Sequence, residues 1–557
     1  MYVADFETTT DIEDCRVWAW ALCEIGNPDN FIYGNSMETF IDKMRELAKQ
    51  NETIYYHNLK FDGEFLISWA FNHSFTHVID RKDIDDNTFT TLISDKGVFY
   101  EIEFIFKKFK TRLHHVMFRD SLKVLPMTVE QVAIAFNLPI RKLHIDYDEY
   151  REPGHILTEE EVDYIKNDVV IIAQALQIQF EQGMNKMTTA SNALADYRNI
   201  IGKRNFERWF PEPDYDADVR QSYKGGFTYA NPRFMNQEIG EGIVLDVNSL
   251  YPSQMYTRQL PYDNPRFYTG RYQTDRLFDL YIQIFTCNFE LKPNRIPTIQ
   301  LKNSLSFMPT EYITSSKGED ITLCLTSVDL ELFFQQYDVY NIEWVCGWKF
   351  KSSTILFKDY IDKWYGMKEQ ATIDGNKALR TICKLYLNSL YGKFAVNPVV
   401  QNKIPYLADD GSIKYYLGEK GTRKPLYIPV GTFITAWARY TTITAAQTVY
   451  DRFCYADTDS LHLIGTEPPT GLEISDTKLG AWKLESHFTR AKFIRAKTYI
   501  EEIDGKLEVT CAGLPEYLHP LVTFDNFNAM TAYPGKLKPT HVNGGIVLTE
   551  TEFTIRP

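Results

Sequence analysis

Apolar positions over residues 1–186 alternate between short period-two runs and stretches of helical spacing, the pattern of an α/β unit. The clearest helix is predicted over 158–182. Thr158 and Glu161 form a capping box there, and Val162, Ile165, Val169 and Ile172 recur at helical spacing. From 187 to 260 the pattern is mixed, and 261–356 reads as strands and loops rich in Pro and aromatic residues. Two helical pieces over 357–394 break near Asp374-Gly375-Asn376. Asp410-Gly411 between Tyr-rich runs predicts a β-hairpin. Helix returns over 432–450, a hairpin follows at Asp457, and strands continue to about 510. The last 30 residues, with Gly544-Gly545 before an apolar run, read as a small β-rich end.

A chain of 557 residues needs several cores. Its net charge of −14 excludes a general basic coat for nucleic acid. It leaves room for a basic channel, because the local potential steers a ligand. The eight cysteines include no C-x-x-C pair, so neither a zinc ribbon nor a thioredoxin motif is signalled, and free thiols in a reducing cytosol are expected. No basic-then-apolar leader opens the chain and no run of about 18 apolar residues occurs, so neither a signal peptide nor a membrane span is expected.

Chemistry enters with Tyr455-Ala456-Asp457-Thr458-Asp459-Ser460. In an extended chain, residues i and i+2 share a face, so Asp457 and Asp459 are expected to project together. Crowded carboxylates call for a cation, and Mg²⁺ binds through one or two carboxylates plus phosphates. The calcium-loop pattern is absent. Asp246 ends the apolar run 242–245 just before a segment broken by Pro252, and would add the missing ligand. Lys377, Arg380, Lys384, Asn388 and Tyr391 fall on one helical face, which suits a triphosphate and a stacked base. Over 347–403, ten Lys/Arg stand against four Asp/Glu, a net +6 within an acidic chain. Tyr251 is placed to pack beneath an incoming sugar.

A second acidic set lies upstream. Asp5 and Glu7 share the opening strand, Asp62 follows Asn58, and Tyr164 and Asp168 share a face of the capped helix. Four such carboxylates would hold two cations roughly 4 Å apart for phosphodiester hydrolysis, with Tyr164 orienting water.

The order Asp-x-Glu, Asn-x-x-x-Asp, Tyr-x-x-x-Asp over residues 1–186 resembles the tyrosine-bearing DEDD 3′–5′ exonucleases, which have an RNase H-like α/β fold. That resemblance implies contacts to a single-stranded 3′ end from Thr8, His57, Asn58, Phe61, Ser121, Leu122 and Tyr164, with Lys142 assisting catalysis. Asp246…Ser249-Leu250-Tyr251-Pro252, Lys384-x3-Asn388-Ser389-x-Tyr391-Gly392 and Tyr455-x-Asp457-Thr458-Asp459 resemble the family-B DNA polymerases, in their protein-primed branch. Tyr223-Lys224-Gly225-Gly226 resembles the family's template-binding linker. Thr435 to Arg439 and Lys497-Thr498-Tyr499 resemble its primer-terminus contacts.

The resemblance implies an α/β and α+β multidomain chain: an exonuclease domain (1–186) joined to a right-hand polymerase domain. Its parts would be palm (187–260 and 427–527), fingers (357–392), thumb (528–557) and two insertions (261–356 and 393–426). The insertions imply a terminal priming protein and closure around DNA, hence strand displacement and high processivity. Asp246, Asp459 and the Val247 backbone would bind metal, with Asp457 catalytic beside them. Two Mg²⁺ per site are implied, with Mn²⁺ substituting. Ser249, Leu250, Tyr251, Asn388 and Tyr391 would surround the nucleotide, and Lys368, Arg380 and Lys384 its phosphates. Template and primer DNA, dNTPs and the priming protein are the implied partners of a monomer with no membrane contact, in the cytoplasm of an infected bacterium. Two alternatives stand: a polymerase extending only nucleic-acid primers, and a DNA-binding replication factor with inactive sites. Departures from the branch include Arg380 in place of Lys, a longer 368–377 loop, and shorter 501–512 and C-terminal segments.

Overall fold

The computed structural model describes residues 1–110, 112–147, 149–300 and 310–556. The N-terminal unit is an eight-stranded sheet ordered Asn27–Gly34, Val17–Glu24, Tyr2–Thr8, Thr53–Tyr56, Arg112–Asp120, Phe99–Phe109, Thr88–Ile93, Thr76–His77. The opening strand pairs antiparallel with Val17–Glu24 and parallel with Thr53–Tyr56. Alternation along it divides two cores. Ala4 and Phe6 pack with the helices Met37–Leu47 and Leu59–Asn72, whereas Val3 packs toward the helix Glu159–Glu181. Asp5 and Glu7 share Val3's parity and therefore its face. The capping box forms as expected: Glu161 N–H donates to Thr158 Oγ1 at 3.2 Å, and Thr158 N–H to the Glu161 carboxylate at 2.9 Å.

The second main sheet is antiparallel, ordered Trp482–Phe488, Gly242–Val247, Ser460–Ile464, Phe453–Asp457, Thr228–Ala230. The helix Ile428–Thr448 packs on it. Helices Lys358–Ile373 and Lys377–Phe394 form a pair, with Trp364 stacked on Tyr386 at 3.8 Å. Their break is where the sequence puts it, because Gly375 takes φ +67° and Asn376 caps the second helix.

Residues 261–356 carry a four-stranded sheet, and also the helix Ser327–Gln336, which the strand-and-loop reading lacks. Its start is signalled by Thr326, whose hydroxyl accepts the Asp329 N–H at 3.1 Å. Hairpins form at Val399–Leu407/Ile413–Thr422 and Ala532–Val542/Gly545–Thr554. Ile494, Ile500, Leu518, Phe527, Tyr533 and Phe553 share one core, so packing runs continuously across the boundary expected at 527. Among the described residues no helix is long and apolar enough to cross a membrane.

Candidate functional site

The upstream carboxylates converge. Asp5, Glu7, Tyr164 and Asp168 line a cavity of about 670 Å³, with Thr8, His57 and Phe61 in its wall. Asp62, in the first turn of Leu59–Asn72, accepts the Phe6 N–H at 3.3 Å. Burial, reinforced by Asp168, pushes the Asp5 carboxyl up to about 7. Burial likewise raises Glu7 and Asp62 well above the carboxylate range, with Asp5 adding to both, and it also raises Asp168. Lys142 Nζ binds Asp168 Oδ2 and lies 3.4 Å from the Tyr164 hydroxyl. Asp168 Oδ1 is buried and has no hydrogen-bond partner among the described residues. Among the described residues no three His, Cys, Asp or Glu side chains stand so placed that they could hold a metal ion. Three buried carboxylates and the half-buried Asp5, mutually repelling and with one orphaned oxygen, are nonetheless the donor chemistry that a hard divalent cation takes.

The surrounding residues are held by groups that spacing did not reveal. Asp120 Oδ1 accepts the Asn58 N–H at 3.2 Å and the Leu122 N–H at 3.0 Å, fixing Asn58 at φ +88°. Ser121 follows in the turn that Asp120 caps. It is fully buried, and its hydroxyl meets His57 Nδ1 at 2.9 Å and the Tyr56 carbonyl at 3.0 Å. Tyr147 bonds the Tyr164 hydroxyl and lines the same cavity.

In the second site the extended-chain premise fails. Thr458 takes φ +62°, and the Asp459 N–H donates back to the Asp457 carbonyl at 2.7 Å. Asp457 and Asp459 therefore sit on either side of a tight turn, not on one strand face. The Asp459 carbonyl accepts the Val247 N–H at 2.8 Å, which ties the turn to the end of Asp246's strand. Asp246 pairs in register with Ser460. Burial and then Asp459 push the Asp246 carboxyl up to about 7; burial chiefly raises Asp459 too. Asp457 is engaged by Lys497 Nζ, 2.9 Å from both oxygens, and by the Thr228 hydroxyl at 3.0 Å. Among the described residues Asp246 and Asp459 form no ion pair, and Lys483, Lys384 and Lys497 act on them only at longer range. Tyr499 packs on Tyr455 at 4.7 Å, and the Lys497 N–H donates to the Tyr455 hydroxyl at 2.8 Å, so in this structure both brace the turn.

Lys377, Arg380, Lys384 and Asn388 are exposed along one face of their helix. Lys368, over the Tyr365 ring at 4.1 Å, has its ammonium pushed down to about 8 by burial and by Arg380 and Lys384. Lys384 also acts on Asp246, so this cationic face looks toward the carboxylates. Tyr251 and Tyr391 stack at 4.0 Å. A Cβ at Gly226 would lie 2.7 Å from Thr458 Oγ1 and 3.0 Å from the Tyr251 hydroxyl, so a glycine is required where the 223–226 segment crosses the turn. Gly225 lies beside it and Tyr223 is half-buried against the core. Ser249 takes φ +55° ahead of the helix Leu250–Thr257.

Three of the side chains expected to contact ligands are buried. Leu250, Thr435 and Arg439 are 1%, 1% and 3% exposed. The Thr435 hydroxyl donates to the Thr432 carbonyl at 3.0 Å. Arg439 forks onto Asp329 at 2.8 and 2.7 Å and donates to the Lys224 and Gly225 carbonyls at 2.7 and 2.8 Å, fixing that segment's backbone. Asp329 itself carried no signal in the sequence.

A family model described as DNA polymerase type B, organellar and viral, matches residues 43–155 and 145–476. The chain is similar to the DNA polymerases of Bacillus phage M2 and Bacillus phage phi29, each 47% identical over 100% of this chain and 99% of the relative. It is also similar to the solved structure of phi29 DNA polymerase complexed with primer-template DNA and incoming nucleotide substrates. There the TM-score is 0.94, with 45% identity across all of both chains.

Proposed function

The chain belongs to the organellar and viral type-B DNA polymerases and is a DNA polymerase of the phi29 type, and on that premise we propose that it synthesises DNA at one site and proofreads 3′ ends at another. The observation that carries this reading is the presence of two separate acidic sets, each with its own basic partner. At the synthetic site Asp246, Asp459 and the Val247 backbone hold Mg²⁺. Lys368, Arg380 and Lys384 grip the triphosphate of a dNTP. Tyr391 and Asn388 border the base, and the Tyr251 ring blocks a 2′-hydroxyl. Template passes the 223–226 segment, whose backbone Arg439 fixes. At the proofreading site Asp5, Glu7, Asp62 and Asp168 hold Mg²⁺. Lys142 orients Asp168, Tyr164 orients the attacking water, and Thr8, His57, Asn58, Phe61 and Leu122 seat the strand end. When bound, Mg²⁺ (or Mn²⁺) supplies Lewis-acid charge stabilisation at the phosphoryl oxygens. We extend the proposal to priming by a terminal protein, with strand displacement and processivity, in the cytoplasm of an infected bacterium. The extra sheet at Leu260–Ser353 and the hairpin at Val399–Thr422 support that part.

The test is a 5′-labelled primer on a longer template, incubated with Mg²⁺. Extension with dNTPs and stepwise shortening without them are expected, and a primer that never shortens removes the proofreading half. Incubating dATP with a candidate terminal protein should give a protein-linked nucleotide. Its absence would leave a polymerase that extends nucleic-acid primers only.

Lys368 adds a pH signature. Its folded pKa of about 8 is depressed, so its charge is present below that pH and is lost as pH rises through it. kcat/KM for dNTP should therefore fall about tenfold from pH 7 to 9.5 relative to Lys368→Arg, which stays charged. Parallel pH profiles for the two proteins would remove Lys368 from the triphosphate grip.

A further inference from the structure

Glu64, on the helix Leu59–Asn72, is 2% exposed. A carboxylate so far from water is costly unless paired. Its partners come from two distant hairpins. Tyr415 donates its hydroxyl to Glu64 Oε2 at 2.8 Å. His541 Nδ1 lies 3.5 Å from the same oxygen. The Tyr415 and His541 rings meet edge-on at 6.0 Å.

The contacts around this oxygen are equally close. A Cβ at Gly411, in the turn of the first hairpin, would lie 2.9 Å from Asn543 Cγ, in the turn of the second, so the two tips touch. Gly544, at φ +95°, leaves no room for a Cβ beside the Cys15 carbonyl, and a Cβ at Gly545 would lie 2.6 Å from the Phe65 ring. Ile413, Ile546 and Val547 are buried in the core of the N-terminal sheet. Three parts of the chain that are far apart in sequence thus meet at one buried charge. A lone two-stranded hairpin is marginally stable, so what it docks on decides where it stays. A buried charge with a single satisfying geometry is a means of fixing register.

We propose that Glu64 is a positioning residue that latches the two hairpins to the proofreading domain and to each other, and so closes the enclosure that keeps DNA bound between additions. The inference rests on the polymerase reading above. Without the Tyr415 hydroxyl, Glu64 Oε2 loses its closest donor, and rehydrating it requires the hairpins to part.

The test compares Tyr415→Phe and His541→Ala with the unsubstituted protein on a long primed template, with excess unlabelled primer-template as a trap. Product length per binding event should fall about tenfold as tethering is lost, while single-turnover addition of the first nucleotide stays within about twofold. Glu64→Gln, which keeps an acceptor for Tyr415 but loses the charge facing His541, should lie between. A Cβ at Gly411 would be 3.1 Å from Asn543 Cβ, a few tenths of an ångström inside the usual separation of a disulfide, so a slight parting of the tips seats the bond. Oxidising a Gly411→Cys/Asn543→Cys pair in the Tyr415→Phe background should therefore restore long products. Unshortened products in Tyr415→Phe, first addition falling in parallel with length, or no rescue by the cross-link would each overturn the latch. Failure of the unsubstituted protein to add a first nucleotide would reject the polymerase reading instead.

Discussion

Replacing Asp459 with asparagine should lower template-directed extension by two to three orders of magnitude or more, the scale seen when one preorganised electrostatic group is removed from an active site. Degradation of single strands should stay within about twofold, because the two acidic sets act independently. Asparagine preserves the turn, since Asp459 is anchored there by its backbone through the Asp457 carbonyl and the Val247 N–H. It removes a like charge from beside Asp246, whose carboxyl that charge helps to raise. The thermal midpoint should hold or rise, so a loss of extension cannot be ascribed to unfolding. Asp457→Asn is the informative contrast. Lys497 already balances that carboxylate, so its removal frees a cation at the turn and should act through turn geometry. Extension by Asp459→Asn within tenfold of the unsubstituted protein would show that Asp246 is completed by some other group.

What the sequence disclosed depended on how local the determining interaction is. Asp5 and Glu7 were legible as a same-face pair because they lie within one strand, where period two is geometric. The same spacing at Asp457 and Asp459 misled, because Thr458 enters the left-handed region, and an alternating pattern does not distinguish a strand from a tight turn. The helix start at Thr158 was legible because a cap acts over three residues, and the break before Lys377 because Gly375 punctuates the helical run. Arg439 was legible only through the motif it resembles, and its partner Asp329, 110 residues away, was not legible at all. The braces of Ser121 were hidden for a similar reason, since His57 and the Tyr56 carbonyl lie 64 and 65 residues away. The helix Ser327–Gln336 was lost among strands because Val328, Leu330, Leu332 and Phe333 bury a broad apolar face that includes an alternating run.

The second large effect concerns the proofreading set, with Asp62→Asn as its sharpest probe. Single-strand degradation should fall by two to three orders of magnitude or more, with first-nucleotide extension within about twofold. Asp62 is chosen because its surroundings change least: it is held by the Phe6 N–H, which asparagine can also bind through its carbonyl oxygen. The variant separates two explanations for the buried cluster. If the cluster merely tolerates its charges by holding protons, as the elevated Asp5 and Glu7 carboxyls allow, then removing one charge relieves repulsion and nothing else changes. If it is built for cations, the metal-free protein gains stability but its response to Mg²⁺ shrinks. The measurement is the thermal midpoint with Mg²⁺ and with EDTA, in an Asp459→Asn background that suppresses the other site. The protein carrying Asp459→Asn alone should gain stability with Mg²⁺, and Asp62→Asn added to it should lose most of that gain. Equal gains in the two proteins, together with retained degradation, would mean that Asp62 takes no part in holding the cation. The site would then have to be rebuilt around Asp5, Glu7 and Asp168 alone.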